Sequence, residues 1–480
     1  MINRLLFRNA VLLIVINVLI KPLYTLVIEP AVQHRIGMSE YGRYAALLNI
    51  TLIASVLLDL GITGWNTIQT SKARGISSVL YYKVIRIRLL LALLYISFVM
   101  ILVYVLGYNS QDIMMALVIG ITQICSSFIL FLRSYTSGTL SFADDRLLSV
   151  LDKVLLFITM ATIMWLPNHA FHPLTVNTFI WVQLAVSLSV LLIGLLLIRK
   201  YKYHKDGELS NHTLLKSAVP YGMLFLFNIM MLRCDTIMLD FIKGPEEAGR
   251  YMMSYRFFEA IIMIAYLMSN ILLPSFARYH KDSLVLNRIF NSGFRTALSV
   301  FLIGVCTVLL VRREILEEVY GFMGNEEIGV FTVMIVSSFF FALQYVTGSF
   351  LTSMERMKSL LSISIIGLVL NVSLNLYLIP IYGSLGAAYS SVCTHILILC
   401  FQFFFVASYF KDDYTLQTGI RSLLLTLAFS VATFCMISIG MAGIEKAVFT
   451  FAFVLSMIVV LFKTRMLDLF FIRESVNNKI

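Results

Sequence analysis

The chain has 480 residues, of which 59% are hydrophobic and 13% charged, with a formal net charge of +11. A soluble protein of this length needs far more charge to cover its surface, so composition excludes a water-soluble globule and calls for a bilayer as solvent. The positive balance does not signal nucleic acid, because the Lys and Arg lie in short loops between apolar segments, as in multi-pass membrane proteins.

In chain order, apolar runs of roughly 20–27 residues predict fourteen membrane helices. The first six span 8–33, 42–67, 84–107, 112–136, 147–167 and 175–198. The next six span 214–242, 248–274, 290–311, 328–352, 358–380 and 386–409, and the last two 419–441 and 446–465. Arg4 and Arg8 precede the first run, and no Ala-x-Ala-like cleavage residues follow it, so it reads as a first membrane helix. The loops are too short to hold a soluble catalytic domain.

An even helix count puts both termini on one side. The loop Lys and Arg concentrate on that side, chiefly in Lys72, Arg74, Lys83, Arg86 and Arg88 and in the stretch from Arg199 to Lys216. Both termini are therefore expected in the cytoplasm. The opposite face carries an acidic loop with Glu314, Glu317, Glu318, Glu326 and Glu327. The six cysteines fall in apolar stretches without a CxxC pair and read as packing residues, and the seven histidines show no ligand spacing. No P-loop, Gly-x-Ser-x-Gly elbow or HExxH helix occurs, so neither ATP hydrolysis nor other enzyme chemistry is expected, and no cofactor or metal.

One motif occurs twice. Gly37-x-x-Glu40-x-Gly42-Arg43-Tyr44 recurs 207 residues later as Gly244-x-x-Glu247-x-Gly249-Arg250-Tyr251. Six predicted helices separate the copies, so both face one side, and the halves are parallel repeats related by an axis along the membrane normal. The expected organisation is an N-terminal lobe at 1–200, a cytoplasmic linker at 201–213 and a C-terminal lobe at 214–410. Residues 411–480 supply two further helices and a cytoplasmic tail.

Charges inside predicted helices are costly and mark pathways. Lys21 sits near the middle of helix 1 with no acid three or four residues away, so its counter-charge must come from another helix, water or a ligand. The offset of 207 maps it to Asn228. Helix 7 carries Arg233 and Asp235, which are two apart and point to different sides. Helix 8 carries Arg256 and Glu259 at i,i+3, a spacing that permits a local pair. Asp59 in helix 2 reads either as a partner for Lys21 or as a protonatable coupling site. Asp152, Lys153 and Arg295 lie nearer helix ends and read as solvated. The interior is more basic than acidic, which suits an anionic substrate such as a lipid diphosphate.

Four stretches carry a family resemblance. Ile36 through Tyr44, Leu58-Asp59-Leu60-Gly61, Leu232-Arg233-Cys234-Asp235 through Tyr251, and Asn371 through Ala388 occur in matching order and spacing. Together they resemble the polysaccharide exporters of the multidrug/oligosaccharidyl-lipid/polysaccharide (MOP) superfamily, of the Wzx type. The resemblance implies an all-α membrane protein of two six-helix lobes in a MATE-like V with two extra C-terminal helices. It implies a flippase that moves undecaprenyl-diphosphate-linked oligosaccharide repeat units across the bacterial inner membrane by alternating access, for O-antigen, capsule or exopolysaccharide synthesis. Lys21, Asp59, Arg233, Asp235 and Arg256 are the expected cleft lining, with Glu259 beside Arg256. The implied partners are polyprenyl-diphosphate-linked oligosaccharide, membrane lipid, and a polysaccharide polymerase and chain-length protein; a monomer is expected. A MATE-type exporter coupled to protons or sodium, and a lipid II flippase, stay open as alternatives.

Overall fold

The structure is a computed structural model that describes residues 16–463, except 18, 64–65, 68–69, 71–75, 140, 166–173, 202, 205–210, 322–323, 411–427 and 438–442. Arg4, Arg8, Lys72, Arg74, the start of predicted helix 1, much of helix 13 and the C-terminal tail lie outside the described residues. Among those described, ten helices are long and apolar enough to cross a membrane. Among the described residues the strands are the two-residue β1 (Ile76–Ser77) and β2 (Tyr203–His204), which pair in parallel. The chain folds as two compact units, Met1–Met252 and Met253–Ile480.

In unit 1, helical residues 19–23 lead into a π-helical turn at Tyr24–Ile28 that runs into α1 (Glu29–Ile36). Then follow α2 (Met38–Ala54), α3 (Val56–Asp59), α4 (Ser78–Val105), α5 (Ser110–Gly138), α6 (Phe142–Trp165), α7 (Val176–Ile198), α8 (Asn211–Ile242) and the start of α9 (Pro245–Arg278). Their starts are written in the sequence. Asn109 and Asp112 form a capping box at α5, and the Thr175 hydroxyl accepts from the Thr178 N–H at α7. α5 is the hub, packing on α2, α4, α6 and α7, while α8 lies along α2. On α4, Tyr95, Val99 and Val103 are fully buried while Leu90, Leu93 and Leu94 are exposed, which is the division expected of a helix with one face to its neighbours and one to lipid.

Predicted helix 2 is not continuous, and this corrects the expected span of 42–67. The chain turns at Ser55, and Leu60 and Gly61 both take positive φ, 44° and 84°. Glycine adopts that backbone freely, whereas a leucine there costs about 1–2 kcal/mol. The break is held from two sides. The Asp59 carboxylate accepts the Thr63 N–H at 3.1 Å, and Gly222 of α8 lies so close that a Cβ there would stand 3.1 Å from the Leu60 carbonyl carbon.

Unit 2 comprises the rest of α9, α10 (Ser283–Leu310), α11 (Arg312–Tyr320), α12 (Asn325–Ser353), α13 (Met357–Tyr382), α14 (Ser384–Phe410), α15 (Ala428–Ile437) and α16 (Gly443–Lys463). α12 is sandwiched between α10 and α14, α13 packs on α14, and α16 lies on α10. Phe276, Phe290, Phe350 and Phe410 interlock, with Phe350 centred 5.5, 5.3 and 5.2 Å from the other three. Asn371 and Ser390 join α13 to α14, the serine hydroxyl donating to the Asn371 carbonyl at 2.9 Å. The start of the expected acidic loop is helical: α11 buries Leu316 and Tyr320, and Arg313 pairs with Glu317 at 2.8 Å.

Candidate functional site

Lys21 is half-buried just before the π-helical turn. The charges that act on it belong to Arg133 of α5 and to Asp145, Asp152 and Lys153 of α6. Arg133 already pairs with Asp145 at 2.9 Å, and Lys153 stands 3.7 Å from Asp152 and 4.8 Å from the centre of the Tyr24 ring. Three cations thus share two carboxylates, and the cluster keeps a positive excess. The Lys153 and Asp152 side chains are 32% and 33% exposed.

Asp59 does not pair with Lys21. Its carboxylate is engaged by Arg88 and by the Thr63 hydroxyl. Arg88 is 1% exposed and sits inside α4, as the predicted span 84–107 has it, which corrects its count among the cytoplasmic loop charges. Its guanidinium donates to the Ser127 carbonyl at 3.0 Å and to the Thr63 hydroxyl at 2.6 Å, and it lies 4.6 Å over the Phe131 ring. A buried guanidinium needs its charge paired and its donors taken up; here Asp59 pairs the charge, while Nε has no hydrogen-bond partner among the described residues.

On α8, Arg233 is half-buried and Asp235 is 2% exposed, accepting from the Tyr251 hydroxyl at 2.8 Å. Tyr251 is the last residue of the second motif copy. In unit 2, Arg256 donates to Glu259 at 2.8 Å, the pair its spacing permits.

The arrangement that sequence reasoning missed is the meeting of the two motif copies. The first turns of α2 and α9 cross with Gly42 and Gly249 in backbone contact, each placed so that a Cβ would overlap the other segment's carbonyl oxygen, that of Pro245 or of Met38. Gly37 and Gly244 precede the two turns with matching φ of 93° and 97°. The Gln33 amide donates to the Gly249 carbonyl at 2.7 Å, and Asp240, which stands 207 residues after Gln33, receives Arg43 at 3.4 Å. Equivalent positions thus reach across to opposite copies. The Tyr108 hydroxyl donates to Asp240 at 2.6 Å; burial, then this bond, push its phenol well above the usual range, so it stays a donor. The polar pairing at the 207-residue offset was the available signal.

A cavity of about 400 Å³ adjoins this junction, lined among others by Glu40, Arg43, Asn109, Gln111, Asp112 and Asn177. Among the described residues no group of three or more His, Cys, Asp or Glu is placed to hold a metal ion.

The sequence profile of the polysaccharide biosynthesis protein family matches residues 6–280. No curated protein matches the sequence. Among solved structures, the lipid II flippase MurJ in an inward closed conformation is similar at a TM-score of 0.68 and 12% identity, over 96% of this chain and 99% of that one. An inward-facing multidrug resistance MATE family transporter is similar at 0.59 and 12%, over 81% and 94%. A MOP superfamily transporter from Pyrococcus furiosus is similar at 0.60 and 12%, over 85% and 96%. At such identity these likenesses concern the fold.

Proposed function

The chain belongs to the polysaccharide biosynthesis protein family, within the MOP superfamily of exporters, and we propose that it is a flippase for undecaprenyl-diphosphate-linked oligosaccharide repeat units. The observation that carries this reading is the family match together with a basic interior: Lys21 lies among Arg133, Lys153 and two already-paired carboxylates. Such a cluster retains positive charge for a diphosphate, which accepts charge-assisted hydrogen bonds from Lys and Arg. The sugars would travel in water between the lobes and the polyprenyl tail in lipid.

In this reading fourteen helices form two six-helix lobes, 1–200 and 214–410, joined by 201–213 and followed by two further helices in 411–480. Both termini face the cytoplasm of a bacterium and the protein lies in its inner membrane, which puts the motif junction on the outer side. Lys21, Asp59, Arg233, Asp235, Arg256 and Glu259 line the path, and the protein works as a monomer that passes its product to a polymerase with its chain-length partner.

One observation favours a second reading. The likeness to the lipid II flippase spans nearly the whole of both chains. Lipid II transport would use the same diphosphate chemistry on a different sugar. Coupling to a proton at Asp59, as a MATE-type exporter would require, is less favoured because Arg88 and Thr63 occupy that carboxylate.

The test is replacement of Lys21 and of Arg233 with Ala in a strain deleted for the gene, with surface polysaccharide and protein level both measured. Loss of polysaccharide at normal protein level is expected. Full polysaccharide in both variants removes the basic path from the mechanism.

A further inference from the structure

None of the residues lining the cavity beside the motif junction belongs to the charged path proposed above. Its volume of about 400 Å³ falls within the range of small-molecule pockets. The wall is built from the beginnings of α2, α5 and α7, with Pro245 at the start of α9, and its chemistry is specific. Gln111 and Asn177 are exposed amides, each able to donate and to accept, and Asn109, whose Oδ1 takes the Asp112 N–H in the capping box, offers its amide N–H groups. Glu40 is an exposed acceptor and Arg43 a donor. Met115 and Val176 stand behind these groups and are largely buried.

A phosphate would meet one guanidinium against two carboxylates, so an anion is disfavoured. A divalent cation would need several free carboxylates, yet Asp112 is engaged with the Asn109 backbone N–H in the capping box, which leaves Glu40. Vicinal hydroxyls, which donate and accept side by side, match mixed amides and a carboxylate.

Arg43 ties the cavity to the junction. Arg43 lines the cavity, and its guanidinium stands 5.4 Å from the Tyr108 ring centre and reaches Asp240 at the long distance of 3.4 Å. Asp240 is 7% exposed, and its Oδ1 has no hydrogen-bond partner among the described residues. The guanidinium is therefore loosely held and open to a competing acceptor.

We infer that this cavity is a docking subsite for the uncharged hydroxyls of a saccharide, separate from the charged path, with Arg43 linking its occupancy to the contact between the motif copies. The inference rests on the flippase reading for the source of the sugar, and that reading places the subsite on the release side. The test uses the full chain in nanodiscs and ligand-observed saturation-transfer NMR, with a neutral tetrasaccharide as probe and inorganic phosphate as a second probe. The tetrasaccharide should give a signal with the wild type that falls about threefold or more in Asn177→Leu and in Gln111→Leu, both exposed positions that should not disturb folding. No sugar signal with the wild type, an equal signal in both variants, or a variant-sensitive response to phosphate in its place overturns the subsite. Transport of a lipid-linked oligosaccharide by wild-type protein in proteoliposomes is scored separately. Its failure counts against the flippase reading alone, and the NMR result decides the subsite in either case.

Discussion

Gly42 and Gly249 stand 207 positions apart in the chain and touch backbone to backbone, each at the same place in its own copy of a repeated motif. Small residues allow such close approach of helices within a membrane, where packing replaces the hydrophobic drive available in water.

Gly42→Ala and Gly249→Ala should each destabilise the purified protein by about 1–3 kcal/mol, because the added methyl meets backbone that cannot rotate away. Gly304→Ala is the control, since a Cβ there has nothing within 4 Å. Thermal melts of the three variants in one detergent check this. Equal melting of all three would mean that the crossing yields without cost.

The Arg43, Tyr108 and Asp240 triad should divide unequally. Asp240 takes a short bond from a buried phenol and a long one from a guanidinium whose side chain is 33% exposed. A double-mutant cycle of Arg43→Gln with Asp240→Asn should give a coupling below about 1 kcal/mol. The cycle of Tyr108→Phe with Asp240→Asn should give about 1.5–3 kcal/mol, as for a hydrogen bond to a charged group. A reversed order would relocate the strength of the junction to the ion pair.

Asp59→Asn should cost about 3–5 kcal/mol, because it strips a fully buried guanidinium of its counter-charge. Adding Arg88→Gln should recover much of that loss. Unfolding of the two variants beside Arg88→Gln alone measures it. If Asp59→Asn is as stable as the wild type while transport stops, the carboxylate acts on the substrate or a proton and is more than a support for Arg88.

In unit 2, Lys446 of α16 pairs with Glu314 of α11. Burial is the largest influence on the Glu314 carboxyl and pushes it up. The hydrogen bond of Lys446, a backbone N–H bond to the carboxylate, and the charges of Lys446 and Arg312 together outweigh it and hold the group below its ordinary value. A carboxyl lowered on folding contributes stability above its unfolded value and loses it as pH falls through the folded one. Acidification below pH 4.5 should therefore weaken the hold of α16 on α11. The Glu314 side chain is 51% exposed, so the effect should be under about 1 kcal/mol, and Glu314→Gln should remove the pH dependence. Melting at pH 7 and pH 4 compares them.

Helix positions were legible because apolar run length and bilayer thickness are the same constraint: 112–136 became Ser110–Gly138, and 358–380 became Met357–Tyr382. The break at Leu60 was not, because apolar residues continue across it and hydropathy does not register φ. Arg88 was misplaced for a related reason. Counting basic residues assumes that they lie in loops, and a single arginine satisfied by Asp59, Thr63 and Ser127 from other segments leaves no local pattern. The pairing of Arg256 with Glu259 was foreseen because both partners lie on one helix turn. Lys21 was legible as a buried cation, but its neighbours come from α5 and α6, more than a hundred residues away. The repeat itself was plain in the sequence; that its two copies are each other's binding partner was not.

Self-contact of a duplicated octapeptide ties the histories of its two halves. An exchange at either glycine is felt first by the sister copy, so the two sites should drift in step, and a survey of variants would find changes there in pairs more often than singly.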